Sequence, residues 1–261
     1  MDPASGESCA WYHGFWQYLR LLGMGTSPLG HAGFYQEAFA RLRLKRARVL
    51  VAGGADYSML AHAAAACRAC GIEAEFTMAD WCETPLALAR WYAERESLSL
   101  RTERRDLLES SAPGGFDAVC THAFLGHFQP QERPRLVAGL GRALRPGGLL
   151  FLANRLRPDA ADQPAVFSTA QVEAFAAEVA RKAAGVPGAD AASLAAGARA
   201  YAARQTSWPV RSLEDLRVLF EAAGLRIERL SSAPMAAARS TLNVPTIAGG
   251  ADYAHVVAVR P

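Results

Sequence analysis

The sequence predicts an α/β domain with a mostly parallel sheet covered by helices on both faces. Three observations carry that expectation. Short apolar runs of strand length alternate with amphipathic helical segments between Arg48 and Asn154. Glycines follow the first run directly, as Gly53-Gly54. Acids follow the second and third, as Asp80 and Asp106. Strand-to-helix units in succession demand parallel pairing with right-handed crossovers, and ligands of such sheets sit at the carboxyl ends of the strands.

In chain order, Arg48–Ala52 reads as a buried strand running into a tight turn at Gly53-Gly54. Ser58 opens an Ala-rich helix through about Cys70, stopped by Gly71. Ile72–Met78 is the second strand, reaching Asp80, and Thr84-Pro85 reads as an N-cap and first-turn proline for a helix to about Glu96. Leu98–Glu103 and Phe116–Thr121 are the third and fourth strands. Pro130–Leu144 is helical and stops at Arg145-Pro146-Gly147-Gly148, and Leu149–Asn154 is the fifth strand.

The stretch from about 159 to 207 breaks the rhythm. It holds two Ala-rich helical segments, Ser168–Ala184 and Ala189–Gln205, separated by GVPG, and reads as a helical cap inserted after the fifth strand. Ser212 with Asp215 three residues on is a capping-box variant that restarts the α/β pattern. A helix to Ala223-Gly224, a strand Leu225–Leu230, a loop with two prolines and a final strand Tyr253–Val259 complete the chain.

The chain has 261 residues, 51% of them hydrophobic and 20% charged, enough to bury a core without staples. That composition excludes a disordered tail, a collagen repeat and a disulfide scaffold. Apolar runs end well short of the ~18 residues of a membrane span. A net charge of +3 is too weak to argue for nucleic acid. The N-terminus, MDPASGESCAWYHGF, lacks the basic and then apolar regions of a secretory signal. Five cysteines, none in a paired zinc pattern, lead to the expectation of a cytoplasmic protein with reduced thiols and no metal site. Cys67 and Cys70 read as core thiols.

The pieces VLVAGGADY, Asp80 at the end of the second strand, RRDLLE, GGFDAVCTHAFLGHF, ALRPGGLLFLANRLRP, SLEDLRVLFEAAGL and the closing DYAHVVAVRP resemble class I S-adenosylmethionine-dependent methyltransferases over residues 47–261. The resemblance implies a Rossmann-like fold with an antiparallel last strand, and S-adenosylmethionine as cofactor. Residues 1–46 then form an N-terminal helical lid. A nicotinamide fingerprint fails, because GGADYS from Gly53 lacks glycine at the third and sixth positions.

The first loop departs from the family pattern. Val51 stands where the family has an acid, Ala55 at its second glycine and Tyr57 at its third. Gly53, Gly54 and Ala55 still permit close backbone approach to the methionine end, and Asp56 is a substitute partner for its ammonium group. Asp80 matches the acid that accepts both ribose hydroxyls, with Trp81 covering the adenine. Asp106 and Leu107 match the adenine-edge site. Thr121 ends the fourth strand beside the cofactor, and His122 is the candidate general base. Asn154 is either a polar positioning group or a loop cap, and His127 reads as a solvated helix-start residue.

The N-terminal segment carries Trp11, Tyr12, Phe15, Trp16 and Tyr18 within eight residues. Trp11, Phe15 and Tyr18 share one helical face, and Tyr12 with Trp16 makes an adjacent pair. Such a lid, with Tyr12 in the site, offers aromatic faces to a sulfonium cation. Enclosure from two sides implies methyl transfer to a small molecule. The altered first loop leaves two alternatives. One is a cyclase resembling azetidine-2-carboxylate synthases, in which the cofactor's own amino group attacks its aminocarboxypropyl arm and methylthioadenosine leaves. The other is a non-catalytic cofactor-binding protein. No nucleic-acid or membrane partner is expected, and a monomer or homodimer is.

Overall fold

A computed structural model describes residues 9–25, 28–109, 114–160, 163–234 and 252–261. Its element order is α1 (Ala10–Leu21), α2 (Ala32–Ala40), β1 (Arg46–Ala52), α3 (Ser58–Ala69), β2 (Glu73–Asp80), α4 (Glu83–Arg95), β3 (Leu100–Arg104), β4 (Phe116–His122), α5 (Arg133–Ala143) and β5 (Leu144–Leu156). Then come β6 (Ala165–Val166), α6 (Thr169–Ala183), α7 (Ala191–Arg204), β7 (Thr206–Ser207), α8 (Leu213–Ala222), β8 (Arg226–Pro234) and β9 (Asp252–Val259). Single 3-10 turns sit at Pro28–His31 and Leu125–His127. The stretch between β8 and β9, residues 235–251 with the second expected loop proline, Pro245, lies outside the described residues.

Seven strands form one sheet in the order β3-β2-β1-β4-β5-β9-β8. All neighbouring pairs among β1 to β5 are parallel, and β9 runs antiparallel to both β5 and β8, as the resemblance implied. The central strands need apolar residues on both sides because helices cover both faces. Val49, Leu50, Val51 and Ala52 are accordingly all fully buried. The strand order reverses between β1 and β4, and the crevice at their carboxyl ends is where such a sheet takes its ligand.

Two cores flank the sheet. One holds Val49, Val51, Phe76 and Met78 against α3, and the other holds Leu50, Val119, Leu150 and Leu152 against α5 and α8. A third core lies outside the sheet, where Trp16, Leu19 and Met24 from the N-terminal segment pack on Phe175, Val179 and Tyr201 of the cap. Helix starts follow side-chain chemistry. Ser168 with Gln171 and Ser212 with Asp215 form complete capping boxes, and Asp190 Oδ1 accepts from the Ala192 and Ser193 amides. Gly148 is required by closure of β5, since a Cβ there would meet the Arg145 and Phe116 carbonyl oxygens at 2.9 Å.

The structure corrects four expectations. Residues 1–46 do not act as one unit, because α2 buries Phe34, Tyr35 and Phe39 in the α3-side core and belongs to the α/β body, while α1 packs on α6 and α7. The helix after β2 begins at Glu83 with Cys82 as its N-cap, so Pro85 lies inside the first turn. The helix placed from Pro130 starts at Arg133. Cys9 and Cys82 are joined in a disulfide across 73 positions, with Cys67, Cys70 and Cys120 free. The sequence offers no spacing that would pair the two, since only the fold brings α1 to the end of β2. Among the described residues no helix is long and apolar enough to cross a membrane.

Candidate functional site

A cavity of 240 Å³ opens at the carboxyl ends of β1, β2 and β4, roofed by α1 and by the segment that leaves the cap. Its floor is Gly53, Gly54 and Ala55, with Asp80, Trp81, Asp106 and Leu107 along one side. Tyr12, His13 and Trp16 of α1 face it from above, and Tyr201 of α7, His122, Phe124 and His127 close it. Arg133 ties the back wall. Its guanidinium donates to the carbonyls of Trp208 (2.7 Å), Pro209 (3.1 Å) and Leu125 (3.2 Å), joining the chain after the cap to the turn after β4.

Asp80 ends β2 with its carboxylate buried. Oδ2 accepts from the Gly54 amide at 3.0 Å and Oδ1 from the Cys82 amide at 2.7 Å. Burial pushes its pKa up to about 6 despite those two donors, so it is an under-solvated carboxylate with acceptor capacity left for a diol. Asp106 Oδ1 accepts from the Leu108 amide at 2.8 Å, and Leu107 beside it is buried. These positions fit a nucleoside with a cis-diol. At Gly53, φ is +68° and a Cβ would lie 2.3 Å from the Phe124 ring. The missing side chain therefore admits an aromatic ring onto the floor of the cavity.

Two histidines have tautomers fixed by their partners. The Tyr35 hydroxyl donates to the Thr121 carbonyl at 2.8 Å, so it can only accept from His122 Nδ1–H, 3.2 Å away. Nε2 of His122 is then a bare lone pair, buried and without a partner. Burial holds this imidazole well below the usual histidine range, aided by His31 and Arg155, so it is neutral at pH 7. His13 Nδ1 lies 3.0 Å from the Ala55 carbonyl and must donate to it, which leaves its Nε2 bare and unpartnered as well. Burial lowers its pKa too. The Tyr201 hydroxyl is a third buried polar atom without a partner in the same wall. Unpaired buried polar atoms are costly, and three around one cavity mark it as built for a ligand.

The aromatic wall comes from the Tyr12–Trp16 pair, while Trp11 and Phe15 back it from outside the cavity, packing on Tyr201 at 5.9 and 5.4 Å. Tyr12 stacks between Trp16 at 5.9 Å and Tyr201 at 5.7 Å. Phe15 turns toward Phe175 of the cap, and Tyr18 is exposed. Burial raises the Tyr12 pKa, with Asp56 and Asp80 adding to it, so the phenol stays protonated.

Other sequence-chosen residues have different surroundings. Asp56 is saturated: Oδ1 takes the Ser58 amide and hydroxyl, and Oδ2 takes Trp16 Nε1 at 3.1 Å and Arg20 Nη1 at 2.9 Å. It clamps the lid and has no place left for an ammonium group. Tyr57 lies outside the cavity wall, stacked on Tyr92 at 4.8 Å with the Arg20 guanidinium over its ring. Thr121 is buried behind His122, also outside the wall. Asn154 reaches the wall but spends Oδ1 on the Leu125 amide and Nδ2 on the Arg155 carbonyl, which makes it the loop cap. His127 is solvent-exposed where it borders the wall, edge-on to Tyr12 at 5.9 Å. His13, Trp16 as a cavity residue, Tyr201 and Arg133 were missed. Only the lid's i, i+4 pairing hinted at one of them.

Residues 49–148 match the family model described as "Methyltransferase domain". No curated protein matches the chain. Among solved structures, the S-adenosylmethionine-dependent methyltransferase SibL is 20% identical with a TM-score of 0.53, covering 89% of this chain and 54% of its own. The chain thus spans about half the length of SibL. Magnesium protoporphyrin IX methyltransferase from Synechocystis PCC 6803, solved with SAH, is 16% identical with a TM-score of 0.55, covering 97% and 96% of the two chains. The [4+2]-cyclase SpnF is 15% identical with a TM-score of 0.52, covering 87% and 80%. The fold is that of class I S-adenosylmethionine-dependent methyltransferases.

Proposed function

With a methyltransferase domain over residues 49–148 on a class I methyltransferase fold, we propose that this protein is an S-adenosylmethionine-dependent methyltransferase acting on a small molecule inside a closed cavity. The observation that carries this reading is the convergence of Asp80, Asp106 and two bare imidazole nitrogens on one cavity roofed by an aromatic lid. When bound, the cofactor supplies an activated methyl group on a sulfonium. Asp80 accepts the ribose hydroxyls, and Asp106 with Leu107 holds the adenine edge. The rings of Tyr12, Trp16, Tyr201 and Phe124 give a cation-stabilising and water-excluding wall. His122 Nε2 takes a proton from the acceptor, with Tyr35 holding its tautomer. The lid and cap contribute orientation, which is the main catalytic effect in such a transfer.

A second reading is favoured by cavity size. At 240 Å³ it falls below the ~300 Å³ lower end of ordinary small-molecule sites, leaving little room for an acceptor beside a nucleoside ligand. Intramolecular attack on the aminocarboxypropyl arm, giving azetidine-2-carboxylate and methylthioadenosine, needs no acceptor. One experiment separates the two. The purified protein is incubated with S-adenosylmethionine alone and then with pooled small amines, alcohols and phenols, with products read by mass spectrometry. S-adenosylhomocysteine formed only with an added acceptor supports methyl transfer. Methylthioadenosine formed from the cofactor alone above the rate without protein, together with azetidine-2-carboxylate, overturns it in favour of the cyclase.

A further inference from the structure

One wall of the cavity is a helix that is pinned at both ends. Toward its C-terminal end, Trp16 and Arg20 of α1 hold the buried Asp56 carboxylate at 3.1 and 2.9 Å. At its N-terminal end, Cys9 is the N-cap residue and is bonded to Cys82. Cys82 lies two residues after Asp80, and its amide donates to Asp80 Oδ1 at 2.7 Å. Between the two pins lie Tyr12 and His13, which with Trp16 are the three residues of α1 in the cavity wall. The ionic pin opens by ordinary thermal fluctuation, whereas the covalent one does not. A ligand that enters or leaves beneath α1 therefore meets a barrier set by the oxidation state of one cysteine pair.

We propose that Cys9–Cys82 is a reversible redox site that latches the lid over the cavity. The latch is released by a dithiol reductant. In the exchange, one thiolate of the dithiol attacks a sulfur of the pair and the Cys9–Cys82 bond breaks. The second thiolate then closes the reductant's own disulfide, so two electrons and two protons reach the protein as two thiols. His13 belongs to the same group. A ring nitrogen of His13 and the two sulfurs all lie within 4.8 Å of one another, and the imidazole is neutral. Reduction frees the end of the lid nearest Asp80 while Asp56 still holds the other, so the helix opens as a hinged flap.

The identity of the guest rests on the cofactor reading above, but the latch itself does not. The test therefore uses two readouts on the full chain, oxidised with glutathione disulfide or reduced with dithiothreitol. One is hydrogen exchange of the α1 amides, and the other is the dissociation rate of S-adenosylhomocysteine. The oxidised protein should titrate three thiols, Cys67, Cys70 and Cys120, and the reduced protein five. Reduction should speed both α1 exchange and S-adenosylhomocysteine release by about tenfold or more, through local opening that leaves the sheet protected. The Cys9→Ser variant should behave as reduced under both conditions. Equal α1 exchange in the two states overturns the latch, as do five titratable thiols after oxidation or one equivalent of zinc held in the purified protein. If S-adenosylhomocysteine binds in neither state, the cofactor reading fails, and α1 exchange still decides the latch.

Discussion

Asp80 is expected to lower the stability of the empty protein in a pH-dependent way. A carboxyl whose pKa rises on folding holds its proton more tightly in the native state. Its ionised form then penalises the native state above the raised pKa, and the penalty lifts as pH falls. With Asp80 at about 6 against an ordinary 3.8, linkage gives a cost of about 3 kcal/mol at pH 7 and about 1.6 kcal/mol at pH 5. The wild type should thus recover about 1.3 kcal/mol between pH 7 and pH 5 relative to Asp80→Asn, which has no charge to lose. Urea unfolding of both proteins at the two pH values measures this difference of differences, and every other titrating group cancels. Asn can still accept one of the two amide hydrogen bonds from Gly54 and Cys82, so a constant offset of about 1 kcal/mol is expected and does not affect the comparison. S-adenosylhomocysteine affinity should fall in the wild type as pH drops through 6, and should already be weak in the variant. Parallel stability profiles would show that Asp80 is not desolvated, and the argument that its spare acceptor capacity serves a diol would fall with it.

Three further outcomes follow from the same geometry. Reducing the Cys9–Cys82 bond, which spans 73 positions, should lower unfolding stability by about 4 kcal/mol on the chain-entropy model, read as a lower urea midpoint with dithiothreitol. A change under 1 kcal/mol would mean that the bond is not formed in solution. Gly53→Ala must hold φ near +68° and displace the Phe124 ring. It should cost about 2 kcal/mol or more by thermal unfolding and weaken S-adenosylhomocysteine binding, whereas an unchanged Tm would contradict the ring's placement. Tyr35→Phe removes the acceptor that fixes His122 Nδ1–H, at a cost of about 1–3 kcal/mol. Nitrogen-15 NMR of the imidazole should then show mixed tautomers where the wild type shows one.

The sheet was legible because its signals are local. β1 is short, β-branched and bounded by glycines, β2 and β4 end at the positions expected within one or two residues, and Ser212–Asp215 caps α8 through atoms three residues apart. The acid at the end of β2 was legible for the same reason. Tyr57 and Thr121, assigned from the place they hold in a family pattern, lie outside the cavity wall. Tyr57 turns away to stack on Tyr92, and the direction in which a side chain leaves a turn is set by the packing around it.

The sequence by itself determined the α/β architecture, the two helices between β5 and α8, and the strand ends that form the crevice. Strand and helix periods, caps and turn residues act over a few positions and can be read from one segment at a time. Only the tertiary structure decided that α2 packs into the α/β body while α1 packs over the cavity, and that Asp56 is spent on Trp16 and Arg20. It also decided the pairing of Cys9 with Cys82, and the bare Nε2 atoms of His13 and His122. Each of these depends on groups between 36 and 87 positions apart along the chain. What brings such groups together is burial of the Trp16–Phe175–Tyr201 core and of α2 against α3, and that apolar packing carries no local signature of which polar atoms it will leave face to face.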